Sequence, residues 1–137
     1  MKTKLMLCTS VSVLTLAVSM EAAGKEYCSV KTLKGTYSYS TQGYYVGNPY
    51  AESGMESYNG AGNVVNTYTD SLGRANAGDT ATYVIGEDCH GTVTYNSGSV
   101  YNIYVSPNGD SMTYILTSGD GVIAGTSHRV SNKLILK

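Results

Sequence analysis

Residues 80–95 read Thr80-Ala81-Thr82-Tyr83-Val84-Ile85-Gly86-Glu87-Asp88-Cys89-His90-Gly91-Thr92-Val93-Thr94-Tyr95. Two runs rich in Thr, Val and Tyr flank a tight polar segment, the pattern of a β-hairpin. A cysteine sits near its bend. The natural partner for Cys89 is Cys28, far upstream. The hairpin is therefore the expected point at which the N-terminal end is tied to the middle of a sheet.

The rest of the chain follows the same grammar. It has 137 residues, which predicts one domain. Charged residues are sparse and scattered, with a formal net charge of −1. That argues against nucleic acid and against an electrostatic membrane anchor. There are 13 tyrosines but no phenylalanine or tryptophan, and 16 glycines against two prolines. Short strands joined by Gly- and Asn-containing turns fit that balance.

The first 23 residues read as a cleaved secretory signal peptide. Met1 to Lys4 is basic and Leu5 to Val18 is apolar. Ala17-Val18-Ser19 and Ala22-Ala23 offer cleavage sites. Residues 24–137 are then one β-barrel domain of a secreted or periplasmic protein. Cys8 leaves with the leader. Cys28 and Cys89 remain, an even count in an oxidising compartment, and are expected to form a disulfide. A metal site using Cys28, Cys89 and His90 matches no zinc spacing, so no metal or other cofactor is expected.

Along the chain, Ser29 to Lys34 predicts one helical turn, with Ser29 as N-cap and Gly35 as stop. Eight strands follow, over residues 36–45, 51–58, 64–71, 79–85, 92–95, 100–105, 112–117 and 122–130. Leu72 to Gly78 reads as a loop, and the tail from Ser131 as a short closing strand. Every connection is short, so the expected fold is an all-β, roughly eight-stranded antiparallel up-and-down barrel. Strands this short, with Ser, Thr and Asn on their faces, do not suit lipid. No membrane insertion of the mature chain is expected.

Four pieces carry a family resemblance: Cys28-Ser29-Val30-Lys31-Thr32-Leu33-Lys34-Gly35-Thr36-Tyr37, Tyr58-Asn59-Gly60-Ala61-Gly62-Asn63-Val64, Asp88-Cys89-His90-Gly91-Thr92 and Gly125-Thr126-Ser127-His128-Arg129. In this order they resemble a group of small secreted bacterial proteins similar to the allene oxide cyclase and dirigent class of eight-stranded barrels. The resemblance implies a barrel whose lumen handles small molecules. No catalytic motif of the plant cyclases can be matched here. Asn59 stands where the group's hairpin has Asp, and Tyr replaces Phe throughout, so any lumen is more polar than usual.

Candidate chemistry comes from two sets of residues. Glu52, Glu56, Tyr58, Asn66, Tyr68 and Asp70 share one face of the second and third strands. Turned inward, that face would place carboxylates beside phenols, with Glu56 as a candidate acid or base. The plainer expectation is a solvated sheet face. Arg129 is the other catalytic candidate; the plainer expectation is that it pairs with Glu56 or Asp70 at a barrel mouth. Tyrosines at 37, 39, 83, 95, 101, 104 and 114 lie on strands throughout. The ligand-lining candidates are Tyr37, Tyr39, Tyr58, Tyr68, Tyr83, Tyr104 and Tyr114. The expected function is binding of a small apolar or aromatic molecule in the lumen. The alternatives are a barrel-class isomerase or cyclase, and a structural or interaction protein of the envelope.

Overall fold

The computed structural model describes residues 27–137; the expected signal peptide and Cys8 lie outside the described residues. Eight antiparallel strands form a closed barrel in sequence order, β1 to β8, with β8 pairing back onto β1. They are β1 Lys34–Tyr45, β2 Asn48–Asn59, β3 Asn63–Asp70, β4 Ala75–Ile85, β5 His90–Tyr95, β6 Val100–Val105, β7 Ser111–Leu116 and β8 Gly121–Ser131. One 3-10 turn, Val30–Thr32, precedes them, capped by Ser29 and followed by the extended Leu33 rather than by Gly35. Among the described residues, no helix is long and apolar enough to cross a membrane.

Two expectations about elements need correction. β4 begins at Ala75, inside the expected loop, because Gly78 forms a bulge with positive φ. Asn66 pairs with Asp79 and Thr67 with Ala77, so the ladder absorbs the extra residue and continues. The tail after Ser131 adds no strand. It is held instead by two hydroxyls on the outer face of β1 and β2. Thr36 donates to the Lys133 carbonyl (2.7 Å) and accepts from the Ile135 amide (2.9 Å), and Ser57 accepts from the Leu136 amide (3.1 Å). Closure falls to β1 and β8, whose long ladder joins the two outer edges of the sheet.

The two ends of the barrel differ. At one end Leu33, Tyr37, Tyr58, Tyr83, Val105 and Met112 fill the interior as a solid core. Tyr37–Tyr58 and Tyr58–Tyr83 pack edge to face, with centroids 5.4 and 5.1 Å apart, each such pair adding about 1 kcal/mol beyond burial. The N-terminal turn lies over this end. The Tyr83 hydroxyl, 2.9 Å from both the Val30 and Leu33 carbonyls, fixes it from beneath. The Cys28–Cys89 disulfide ties the same segment to the β4–β5 turn, joining residues 61 positions apart. Cys89 takes a left-handed backbone conformation (φ 64°) there, which non-glycine residues adopt at some cost.

Arg129 completes the plug. Its guanidinium donates to the Gly109 (2.8 Å), Asn108 (3.3 Å) and Thr32 (3.4 Å) carbonyls and to the Tyr37 hydroxyl (3.1 Å). It also reaches Asn132 Oδ1 (3.3 Å) and Asp110 (3.5 Å). It pairs with neither Glu56 nor Asp70, which corrects the expectation. Three segments remote in sequence thus share one cation.

Two outcomes test this end of the barrel. Native protein should yield no thiol from Cys28 or Cys89 until unfolded in reductant, and Cys89→Ser should cost roughly 2–5 kcal/mol by denaturant titration; free thiols in the native state would remove the clamp. Arg129→Met keeps the stem but leaves the loop carbonyls without their donor, at a cost of roughly 2–3 kcal/mol in the same titration.

Candidate functional site

The opposite half of the barrel is hollow. A cavity of about 260 Å³ opens between the β1–β2, β3–β4, β5–β6 and β7–β8 turns. Its floor is Tyr58, Val93 and Ile103, the last layer of the solid core. Tyr39, Tyr95, Tyr101 and Tyr114 form its wall. Tyr45, Tyr50, Tyr68, Arg74, Ser97 and Ser99 lie toward the mouth.

Backbone geometry makes the room. Gly54 stands opposite Tyr39 in the β1–β2 ladder, and Gly125 opposite Tyr114 in the β7–β8 ladder. A Cβ on Gly54 would come within 2.9 Å of the Tyr39 ring, and one on Gly125 within 2.7 Å of the Tyr114 ring. Each ring lies across its glycine, against the wall. An edge-to-face chain then runs Tyr39–Tyr114–Tyr101–Tyr95, with centroids 6.4, 5.7 and 5.9 Å apart.

Two carboxylates project into this aromatic cup. Glu56 is only 5% exposed. Its Oε1 accepts from Tyr95 (2.9 Å), and its Oε2 from Tyr58 (3.3 Å) and Ser127 (3.4 Å). Burial pushes its carboxyl up to about 7. The three hydrogen bonds pull the other way, and the Glu52 charge adds to the rise. Glu52, half-buried on the same strand face, accepts from Tyr39 and Tyr50, one phenol on each oxygen. Burial, with these carboxylates nearby, holds the Tyr39, Tyr95 and Tyr114 phenols well above the usual range, so they stay protonated. Asn66 faces Glu56 across the β2–β3 ladder. It is 4% exposed, and its Oδ1 has no hydrogen-bond partner among the described residues.

The face carrying Glu52, Glu56, Tyr58, Asn66, Tyr68 and Asp70 therefore points inward, not to solvent as expected. Ser53, Met55 and Ser57 take the opposite, outer face. Asp70 serves the rim. It accepts from the Leu72 and Arg74 amides (3.0 and 2.9 Å) and pairs with the Arg74 guanidinium (2.6 Å). Burial would raise its carboxyl, but these bonds outweigh it and hold it below the ordinary value.

Of the seven lining candidates, Tyr39, Tyr58, Tyr68 and Tyr114 reach the cavity. Tyr37 and Tyr83 belong to the plug, where their hydroxyls fasten the Gly109 carbonyl and the N-terminal turn. Tyr104 is 58% exposed on the outer wall, stacked on His90. Its neighbours in alternation, Ile103 and Val105, occupy the interior. Arg129 lies beyond the cavity floor. Tyr45 and Tyr50 were missed: Tyr45 closes the expected first strand and Tyr50 sits just before the second, where alternation carries no inward or outward sense. Among the described residues, no group of three His, Cys, Asp or Glu is placed to hold a metal.

No protein-family model matches the chain, and no curated protein matches it. Similar solved structures include redesigned and de novo designed β-barrels. One is EF1p2_mFAP2b bound to DFHBI, 18% identical, covering 72% of this chain and 94% of that one, with a TM-score of 0.52. A de novo designed fluorescence-activating barrel is 14% identical, covering 73% and 95%, with a TM-score of 0.51. The redesigned barrel mFAP0 bound to DFHBI is 19% identical, covering 72% and 99%, at 0.50. The shared feature is the fold: a small closed eight-stranded barrel.

The raised Glu56 carboxyl has a thermodynamic consequence. A carboxyl with a higher pKa folded than unfolded holds its proton more tightly in the native state. Stability is then greatest below about 4.5 and falls as pH rises toward 7. The loss is on the order of 3 kcal/mol. Glu56→Gln should flatten the fall in melting temperature between pH 5 and 8 and match or exceed the wild type at pH 8. An unchanged slope would show that another group carries it.

Proposed function

We propose that this protein is an exported barrel that binds a small, flat, aromatic or partly apolar molecule in its lumen. The observation that carries this reading is the half-hollow interior. One end is packed solid and pinned by a disulfide and by Arg129. The other keeps about 260 Å³ open behind a ring of tyrosines. A cavity of about 150 Å³ already admits benzene, so a substituted single ring fits this one. Designed barrels of the same fold have been solved with DFHBI bound, which supports the view that a small closed barrel accommodates a ligand in this way. The leader-like N-terminus and the disulfide support a secreted or periplasmic location.

A second reading has one specific observation behind it. Glu56 is a buried carboxyl poised near neutral pH at the bottom of a cavity, which suits a general acid or base. That places an isomerase or cyclase of the allene oxide cyclase-like class as the runner-up, with Glu56 moving the proton. Arg129, behind the floor, has no part in it.

A neutral flat probe tests the binding reading. 2-Naphthol should bind saturably at one site. Ser99→Trp, at the mouth and outside the core, should weaken it more than tenfold without lowering the melting temperature. Equal binding to native protein and variant would move the site out of the lumen.

A further inference from the structure

Around Glu52 and Glu56 the hydrogen-bonding capacity of the lumen is lopsided. Tyr39 and Tyr50 give their protons to Glu52, Tyr95 and Tyr58 give theirs to Glu56, and Tyr114 points to the Ser40 carbonyl (3.3 Å). A phenol that has donated presents only lone pairs to the cavity. Asn66 Oδ1 adds an acceptor with no partner among the described residues. Arg74 is the sole basic side chain among the described residues lining the cavity, and it is engaged by Asp70 at the rim. The interior thus offers acceptors and negative charge, with no described cation to balance them. Geometry adds a focus. Glu52 and Glu56 flank Gly54 on β2, and the Tyr39 ring lies over that glycine between them.

We propose that the lumen selects an organic cation: an ammonium group on a compact apolar or aromatic body. This rests on the lumen-binding reading and narrows it to a ligand class. The ammonium sits against the Tyr39 ring, where the aromatic face attracts a cation, with Glu52 on one side of that ring and Glu56, paired with Asn66 across the ladder, on the other. The body packs on Tyr95, Tyr101 and Tyr114. A carboxylate or phosphate ligand meets two like charges at that depth, so it is rejected. The phenols make this compatible with burial: they hold the carboxylates in place before the ligand arrives, which lowers the ordering cost of binding.

Three probes of one size separate the alternatives: benzylamine, benzyl alcohol and benzoate, titrated calorimetrically into the native protein at pH 7.5. Benzylamine should bind at least tenfold more tightly than benzyl alcohol, and benzoate should not saturate. In Glu52→Gln the amine-to-alcohol ratio should collapse toward one. Binding of the amine should also release protons, seen as a dependence of the measured heat on the buffer's ionisation enthalpy, because a cation beside Glu56 favours its ionised form. Its charged and phenolic neighbours are Glu52, Tyr39, Tyr58, Tyr95, Tyr101 and Tyr114. Benzyl alcohol or benzoate binding as tightly as the amine overturns the cation proposal while leaving a ligand-binding lumen intact. Failure of all three overturns it as well, and failure of 2-naphthol besides removes the lumen reading itself.

Discussion

A carboxyl group buried inside a small barrel needs a reason, and the rest of this interior is arranged around that of Glu56. Taking a charge out of water costs several kcal/mol unless it is paired or protonated. No cation among the described residues offsets it. Two phenols and a serine hydroxyl supply partial compensation, and protonation near neutral pH supplies the rest. The plug below sets the position of Glu56. Tyr58 and Ser127 belong to the last filled layer, so the carboxyl stands where packing stops and open space begins.

That boundary depends on the two ends doing different work. A closed barrel of eight strands has an interior just wide enough for side chains to fill, so hollowness must be made locally. At the plugged end, large side chains meet large side chains: Tyr37, Tyr58 and Tyr83 with Leu33 above them. At the open end, Tyr39 and Tyr114 each face a glycine and fold flat against it. The disulfide, the Arg129 fan and the clasped tail all lie at the plugged end. Among the described residues, the mouth carries one ion pair and short turns. Rigidity is concentrated where nothing needs to enter.

The architecture was legible because it is written in local chemistry. Alternation of period two and Asn-Gly or Asp-Gly turns give eight strands, and short connections give a meander. The inside-out sense was harder to read. Strands of Tyr, Ser, Thr and Glu have two faces that are both amphipathic, so alternation shows that a strand exists without showing which face is buried. Where an aliphatic pair shares the register, the sense is fixed: Ile103 and Val105 place Tyr101 inside and Tyr104 outside. On β2 the equivalent cue was Tyr58 sharing parity with both glutamates. Bulges at Gly78 and at Val130 reset the parity; the glycine is a local cue for the first, and nothing local announces the second. Arg129 shows a further limit. Its partners are backbone carbonyls from remote segments, and carbonyls leave no trace in side-chain identity.

The choice of tyrosine ties these points together. Phenylalanine in the same rotamers would wall the lumen equally well and would leave Glu52 and Glu56 without their phenolic donors. Each phenol adds one proton at the tip of an apolar ring, so the same wall lines the lumen and holds the acids. The result is an interior walled by apolar rings and rich in acceptors. A core built only for stability would have no use for that combination, because replacing a buried ionisable network by apolar residues of similar volume is commonly neutral or stabilising. The carboxylates are therefore the feature of this interior that packing alone does not explain.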